Sequence, residues 1–324
     1  MIDLKVDLGG LKMSTPVTTA SGTFGYGVEY ADLLDYSKLG AVTVKGVRKD
    51  PWPGNQMPRH CEVPGGMVNA IGLQGPGVMP FIENYIDHYR DTVKSSLERR
   101  GYASASVPPM IVNIWGGSVE EYAEVAKCLS DCEYANGDDA IVGAIECNVS
   151  CPNVKEGGHT FGQDPAVLGR LVKAVRESTK LPLIVKLAPN VPDLKPYTQA
   201  CEDNGADALA LINTIPAMVI DINTRKPVLA NRTGGLSGRC VHPVAVKCVY
   251  DAHRFSGLPI LAMGGVYSWQ DAVELMLAGA TAVAVGTATF TSPETAADVA
   301  DGISAYCEKN GFGSVRELTG ALAG

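Results

Sequence analysis

The run Asn148-Val149-Ser150-Cys151-Pro152-Asn153 places one thiol between two amides, closely following the apolar stretch Ile141–Ile145. The amides offer donors and acceptors to a planar polar ligand, and the sulfur can serve as nucleophile or proton acceptor. A plainer reading makes it a turn after a buried strand, with Pro152 as punctuation and Cys151 as a small hydrophobe. Two lysines also interrupt apolar runs, Lys45 in Val44-Lys45-Gly46 and Lys186 in Val185-Lys186-Leu187. A lysine in a buried strand is costly unless it is paired, functional, or reaching past the rim to water. With Asn113, Asn148 and Asn213 they describe a pocket rich in cations and amides. Such a pocket suits an electron-rich heterocycle with carbonyl oxygens whose reduced form is negative. A phosphate-bearing flavin fits that description, and a Schiff-base lysine stays open beside it.

Elements of two kinds alternate along the chain and must position these groups. Short apolar runs predict strands at Pro16–Ala20, Ala41–Lys45, Met110–Trp115, Ile141–Cys147, Leu183–Leu187, Ala208–Asn213, Pro259–Met263 and Ala282–Gly286. Continuous apolar character suits strands covered on both faces. Helical patterns occupy Glu29–Lys38, Phe81–Arg99, Val119–Leu129, Pro165–Thr179, Leu194–Asn204, Pro243–Phe255, Trp269–Ala278 and Pro293–Lys309. Eight such units predict a (β/α)8 barrel, with a doubly wound open sheet as the alternative. Pro/Gly-rich insertions at 46–80 and 214–239 fall on the C-terminal face of that barrel, and the N-terminal Met1–Lys5 is strand-like. One domain spanning 1–324 is expected, since no linker, repeat or low-complexity segment divides the chain.

In a barrel, chemistry sits at the carboxyl ends of the strands. Those ends carry Ala20-Ser21-Gly22-Thr23, Lys45-Gly46, Asn113, Asn148 with Cys151, Lys186, Asn213-Thr214, Gly264-Gly265-Val266 and Gly286-Thr287. Gly264-Gly265 and Gly286-Thr287 form a phosphate signature, because backbone amides near a helix start can cradle an anion without side-chain clash. Asn69-Ala70-Ile71-Gly72-Leu73-Gln74, in the first insertion, reads on its own as a turn.

At 324 residues the length suits a barrel of about 250 residues with insertions. A hydrophobic content of 46% supplies a core, and a net charge of −8 argues against nucleic acid or an anionic membrane as the main partner. Nine cysteines, an odd number with no CxxC pair and no signal peptide, point to reduced thiols in the cytoplasm. Cys128 and Cys132 sit four apart without a nearby second pair or histidine, which reads as helix packing rather than a metal site. No apolar run approaches the ~20 residues of a membrane span.

Taken in order and spacing, these motifs resemble the class 1 dihydroorotate dehydrogenases, and within them the class 1B catalytic subunits. The likeness covers essentially the whole chain. It rests on Ala20-Ser21-Gly22, Thr43-Val44-Lys45-Gly46, Gly54-Asn55, Pro58-Arg59, Asn69–Gln74, Asn148–Asn153, Lys186-Leu187, Asn213-Thr214, Gly234–Gly238, Gly264-Gly265 and Gly286-Thr287. The resemblance implies an FMN-bearing barrel that oxidises (S)-dihydroorotate to orotate in pyrimidine synthesis. It implies Cys151 as the base that takes the C5 proton while hydride leaves C6. A substrate set of Lys45, Asn69, Gly72, Leu73, Asn148, Asn153, Asn213 and Thr214 follows from it. So does a cofactor set of Ala20, Ser21, Lys45, Asn113, Asn148, Lys186, Ile212, Gly238, Gly264, Gly265, Gly286 and Thr287. It further implies an electron-transfer subunit holding FAD and a [2Fe-2S] cluster that passes electrons to NAD+, in a heterotetramer built on a homodimer of catalytic subunits. The cysteines of this chain lack a four-thiolate cluster spacing, so the cluster is implied only for the partner.

One departure stands out. Gly75-Pro76-Gly77 follows Gly72-Leu73-Gln74 where the family usually has Asn, a residue, then Gly; this removes an amide and is expected to loosen the loop. Gly101–Pro109 and Asp131–Asp139 also look long and belong on the outer rim. The other activities consistent with the motifs are a flavin-dependent dihydropyrimidine dehydrogenase subunit, a lysine aldolase and a non-catalytic phosphate binder.

Overall fold

The structure, a computed structural model, describes residues 2–135, 137, 140–149 and 161–323. Eight parallel strands form the central sheet: β1 (Val17–Thr19), β2 (Val42–Val47), β3 (Met110–Ile114), β4 (Val142–Asn148), β5 (Leu183–Lys186), β6 (Ala208–Leu211), β7 (Ile260–Met263) and β8 (Ala282–Val285). Main-chain ladders join them in the order β1-β8-β7-β6-β5-β4-β3-β2. The remaining seam, β1 to β2, is closed by threonines. Thr19 Oγ1 donates to Thr43 O (3.1 Å) and accepts from Thr43 N (3.0 Å), and Thr18 Oγ1 lies 3.2 Å from Thr43 Oγ1. The expected (β/α)8 barrel is therefore present, and the open doubly wound sheet is not.

Helices follow strands two to eight as the periodicity predicts, each with an apolar face on the sheet. Pro165–Ser178 shows the local logic. Asp164 caps the first turn through its carboxylate (2.8 Å to Ala166 N), Pro165 fits N1, and Val167, Leu168, Leu171, Val172 and Val175 are buried. Each such side chain contributes about 1.5–3 kcal/mol on burial. The second expected helix divides at Tyr85 into Val78–Asn84 and Ile86–Arg99.

The predicted first helix, Glu29–Lys38, does not form. The segment is a set of turns ending in a 3-10 turn, Tyr36–Lys38. Its helical spacing of apolar residues is overridden because the Glu29 carboxylate accepts from the amides of Tyr26, Gly27 and Val28 at 3.0–3.1 Å, and Asp35 caps Ser37. The N-terminus also differs from expectation. Its strands are Val6–Leu8 and Leu11–Met13, an antiparallel hairpin under the barrel, where Leu8, Leu11 and Met13 are buried. Gly9 fits there only without a side chain, since a Cβ would come within 2.3 Å of Asp207 O.

The two insertions meet. His60–Val63 and Gly66–Asn69 from the first join Ile215–Ala217 and Gly234–Ser237 from the second in one four-stranded antiparallel sheet. It lies across the C-terminal ends of the barrel strands. Gly234 and Gly235 permit the close approach, because a Cβ would stand 2.5 Å from Asn69 O and 2.0 Å from Thr214 Oγ1 respectively. Among the described residues no helix is long and apolar enough to cross a membrane.

Candidate active site

A cavity of about 1190 Å³ lies between the C-terminal ends of the barrel strands and the four-stranded sheet. Of the expected substrate residues, Lys45, Asn69, Gly72, Leu73, Asn148, Asn213 and Thr214 line it. Of the expected cofactor residues, Ala20, Ser21, Lys186, Ile212 and Gly238 do, as do Gly264, Gly265, Gly286 and Thr287. Cys151 and Asn153 fall outside the described residues. Asn113 is set apart: it is fully buried behind the cavity wall and does not line it.

Side chains alternate along each strand, so Glu146 and Asn148 of β4 share the interior face with Asn113 of β3 and Lys186 of β5. Asn113 stands opposite Glu146 in register, and Asn148 opposite Lys186. Asn113 Nδ2 donates to Glu146 Oε1 at 2.6 Å, and Lys186 Nζ reaches the same oxygen at 3.4 Å. Lys186 is 5% exposed, so it does not reach past the rim to water; its charge is held inside. Lys45 arrives differently. A β-bulge sets Lys45 and Gly46 together against Asn113, between the register pairs Val44↔Val112 and Val47↔Ile114. Gly46 is required there, because a Cβ would lie 2.9 Å from Asn113 Oδ1. Burial, followed by the nearby Arg59 charge, pulls the Lys45 ammonium pKa below the usual lysine value, with Glu29 opposing.

Two amides meet above β4 and β6. Asn213 Nδ2 donates to Asn148 Oδ1 at 3.1 Å, Thr214 N donates to Asn213 Oδ1 at 2.8 Å, and Tyr122 Oη donates to Asn148 O at 2.6 Å. In the loops of the first insertion, Asn55 packs against Gly72 so closely that a Cβ there would lie 2.6 Å from Asn55 Cγ. The next residue, Leu73, has φ +57°, a left-handed conformation that costs a side-chain-bearing residue about 1–2 kcal/mol. Strain of that kind concentrates where a loop is shaped for a ligand.

The glycine ends of β7 and β8 converge with Gly238. A Cβ on Gly265 (φ +72°) would lie 2.6 Å from His242 Cβ and 3.0 Å from Gly238 O. Thr287 Oγ1 donates to Ser237 Oγ at 2.8 Å and ties the end of β8 to the sheet above. His242 Nδ1 lies 2.9 Å from Gly264 O, a hydrogen bond that fixes the turn. After β7 a helix does follow, Trp269–Leu277, whereas β8 runs into a 3-10 turn, Thr287–Phe290. Bare backbone of this kind admits an anion, and the cation-rich floor beside it admits a planar heterocycle. A phosphate-bearing flavin matches both halves of the cavity.

Gly75 is pinned rather than loosened. It exchanges two 2.9 Å backbone hydrogen bonds with Trp52, and a Cβ would stand 2.9 Å from Gly46 O and 3.2 Å from Tyr26 Oη. Gly75 does not line the cavity. Glu146 and His242 were not singled out by sequence. A carboxylate inside Ile145-Glu146-Cys147 is a readable anomaly, whereas His242 at a helix start carries no signal of its own. Cys128 and Cys132 join no metal-binding cluster among the described residues.

Comparison with known proteins agrees with this geometry. A family model described as dihydroorotate dehydrogenase matches residues 3–306. A Pelobacter propionicus protein named dihydroorotate dehydrogenase B (NAD(+)), catalytic subunit, is 48% identical over 320 residues, covering 99% of this chain and 98% of the relative. Proteins of the same name from Parabacteroides distasonis (45%) and Alkaliphilus metalliredigens (46%) are matched over 99% of both chains. The chain belongs to the dihydroorotate dehydrogenase family.

Proposed function

We propose that this chain is the catalytic subunit of an NAD+-linked dihydroorotate dehydrogenase, oxidising (S)-dihydroorotate to orotate in pyrimidine synthesis with FMN as its own cofactor. The observation that carries the reading is one roofed cavity in which glycine strand ends, a buried lysine and paired amides converge in a chain of this family. Bound FMN would supply the two-electron acceptor for the hydride leaving C6. Gly238, Gly264, Gly265, Gly286 and Thr287 would hold its phosphate, and Lys186 would face its heterocycle. The Asn148 and Asn213 amides, with Asn69, Asn153 and Thr214, orient the substrate's planar ring, and Lys45 pairs with its carboxylate. The overlying sheet, with Gly72 and Leu73, excludes water, which strengthens each of these interactions.

Cys151, three residues beyond the end of β4, takes the C5 proton. A free thiol titrates near ~8.5, so its loop must favour the thiolate at neutral pH. NAD+ in the relatives' names, together with "catalytic subunit", supports a partner that receives the electrons. That partner carries FAD and a [2Fe-2S] cluster, and two copies of it bind a homodimer of this chain.

Anaerobic bleaching of the FMN-loaded protein tests the reading. Dihydroorotate bleaches the flavin and dihydrouracil does not; the reverse order would assign the chain to dihydropyrimidine oxidation. Protein that stays colourless after FMN addition would overturn the flavin reading. Cys151→Ser retains FMN and bleaches about 10²–10⁴-fold more slowly at neutral pH, the range a positioned base supplies. Unchanged kinetics would remove Cys151 from the role.

A further inference from the structure

Glu146 is fully buried, and among the described residues no other Asp or Glu is buried. It stands on β4 two residues before Asn148, one layer deeper in the barrel. Both donors that reach it, Asn113 Nδ2 and Lys186 Nζ, use Oε1; Oε2 is buried with no partner among the described residues. Stability does not account for this arrangement. A buried ion pair is weak evidence of stabilisation, because desolvation of both charges offsets their attraction, and an unpartnered carboxylate oxygen adds to the penalty.

Lys186 shows what the carboxylate can do. Lys186 lines the cavity, while its described acidic partner, Glu146, is buried behind it. Asn113 donates to the shared oxygen from the other side, and the bulge at Lys45-Gly46 packs close against Asn113. The chain of contacts runs from the second strand to the fifth and ends on one lysine that lines the cavity.

We propose that Glu146 is a positioning residue that acts through Lys186, aiming the ammonium at bound flavin and setting how much of its positive charge the flavin feels. The inference rests on the FMN reading above. A heterocycle that accepts two electrons gains negative charge, which an uncompensated ammonium stabilises; the carboxylate behind Lys186 moderates that effect.

Glu146→Gln tests it, since glutamine keeps the length and an acceptor oxygen while removing the charge. Sulfite is the probe: it donates an electron pair to the flavin, and its adduct carries added negative charge as reduced flavin does. With FMN-loaded protein, Glu146→Gln binds sulfite at least tenfold more tightly than the parent, and its two-electron potential is more positive by about 30 mV per tenfold. Glu146→Asp, which keeps the charge, stays within threefold of the parent. A merely structural role would move both variants alike. Sulfite affinity in Glu146→Gln equal to or weaker than the parent's overturns the proposal.

If the single variant does not fold, the Lys186→Met, Glu146→Gln double variant buries no lone charge and serves instead. It matches Lys186→Met alone in sulfite affinity, because the carboxylate acts only through the lysine; a further tightening in the double variant overturns the proposal. Failure of the parent itself to take up FMN would refute the flavin reading rather than this one. A parent that loads FMN and is bleached by dihydroorotate, with a Glu146→Gln variant indistinguishable from it, refutes this inference alone.

Discussion

Gly75→Ala separates two opposite expectations for the loop beneath the overlying sheet. If glycine loosened this segment, alanine would restrict the unfolded chain and stabilise the protein by about 0.4–1 kcal/mol. The packing demands the other sign. The new Cβ would stand 2.9 Å from Gly46 O and 3.2 Å from Tyr26 Oη, with the backbone held in place by both hydrogen bonds to Trp52. Carbon–oxygen contacts settle near 3.3–3.6 Å, so the gap must open by roughly half an ångström. Overpacking of this kind costs about 1–3 kcal/mol; set against the entropic gain, a net loss of about 1–2 kcal/mol follows. The displaced group is the carbonyl of the residue after Lys45, so the lysine moves with it. Urea unfolding reads the stability term as a lowered midpoint at constant slope. Steady-state kinetics of the FMN-loaded enzyme reads the second term as a higher KM for dihydroorotate. An alanine variant as stable as the parent, or more so, would refute the reasoning.

Two further outcomes follow from the same geometry. Gly265→Ala combines a left-handed φ of +72° with a Cβ 2.6 Å from His242, so FMN affinity falls at least tenfold; fluorescence recovery of released FMN measures it, and undiminished affinity would detach this turn from the phosphate. Lys45 has a lowered pKa, so its charge is lost at a lower pH than that of an ordinary lysine near 10.5. The KM for dihydroorotate therefore rises along an alkaline limb below that value. Arg59→Met removes one of the lowering causes and moves the limb to higher pH; a limb that moves the other way would exclude Lys45 as the carboxylate's partner.

The barrel was legible because its strands are short apolar runs and their breaks are chemical: Lys45, Lys186, Asn148 and the glycine pairs each stand at or near a strand end. Local periodicity failed where a side chain outbid it, as when Glu29 took three amides and left residues 29–38 as turns. It also could not show pairings between distant segments. Nothing in Gly66–Asn69 announces a partnership with Gly234–Ser237. Glu146 escaped for a related reason, since its meaning depends on Asn113 and Lys186 reaching it from neighbouring strands. Gly75 was misread because the loss of an amide was visible in the sequence, whereas the carbonyl waiting at 2.9 Å was not.

The sheet over the cavity also bears on the order in which the molecule assembles. Asn69 and Gly235, hydrogen-bonded across it, are 166 residues apart in the chain. Closing so long a loop brings little reward until the strands between have formed, so contacts of this separation belong to the late, slow part of folding. The same pairing joins two insertions rather than barrel strands, and a small sheet lying outside the barrel core opens locally at lower free energy than that core. Amide hydrogens of Gly66–Asn69 and Gly234–Ser237 should then exchange before those of β3 to β7. The cavity would gain its cover last during folding, and would admit or release its contents by opening that cover while the barrel stays intact.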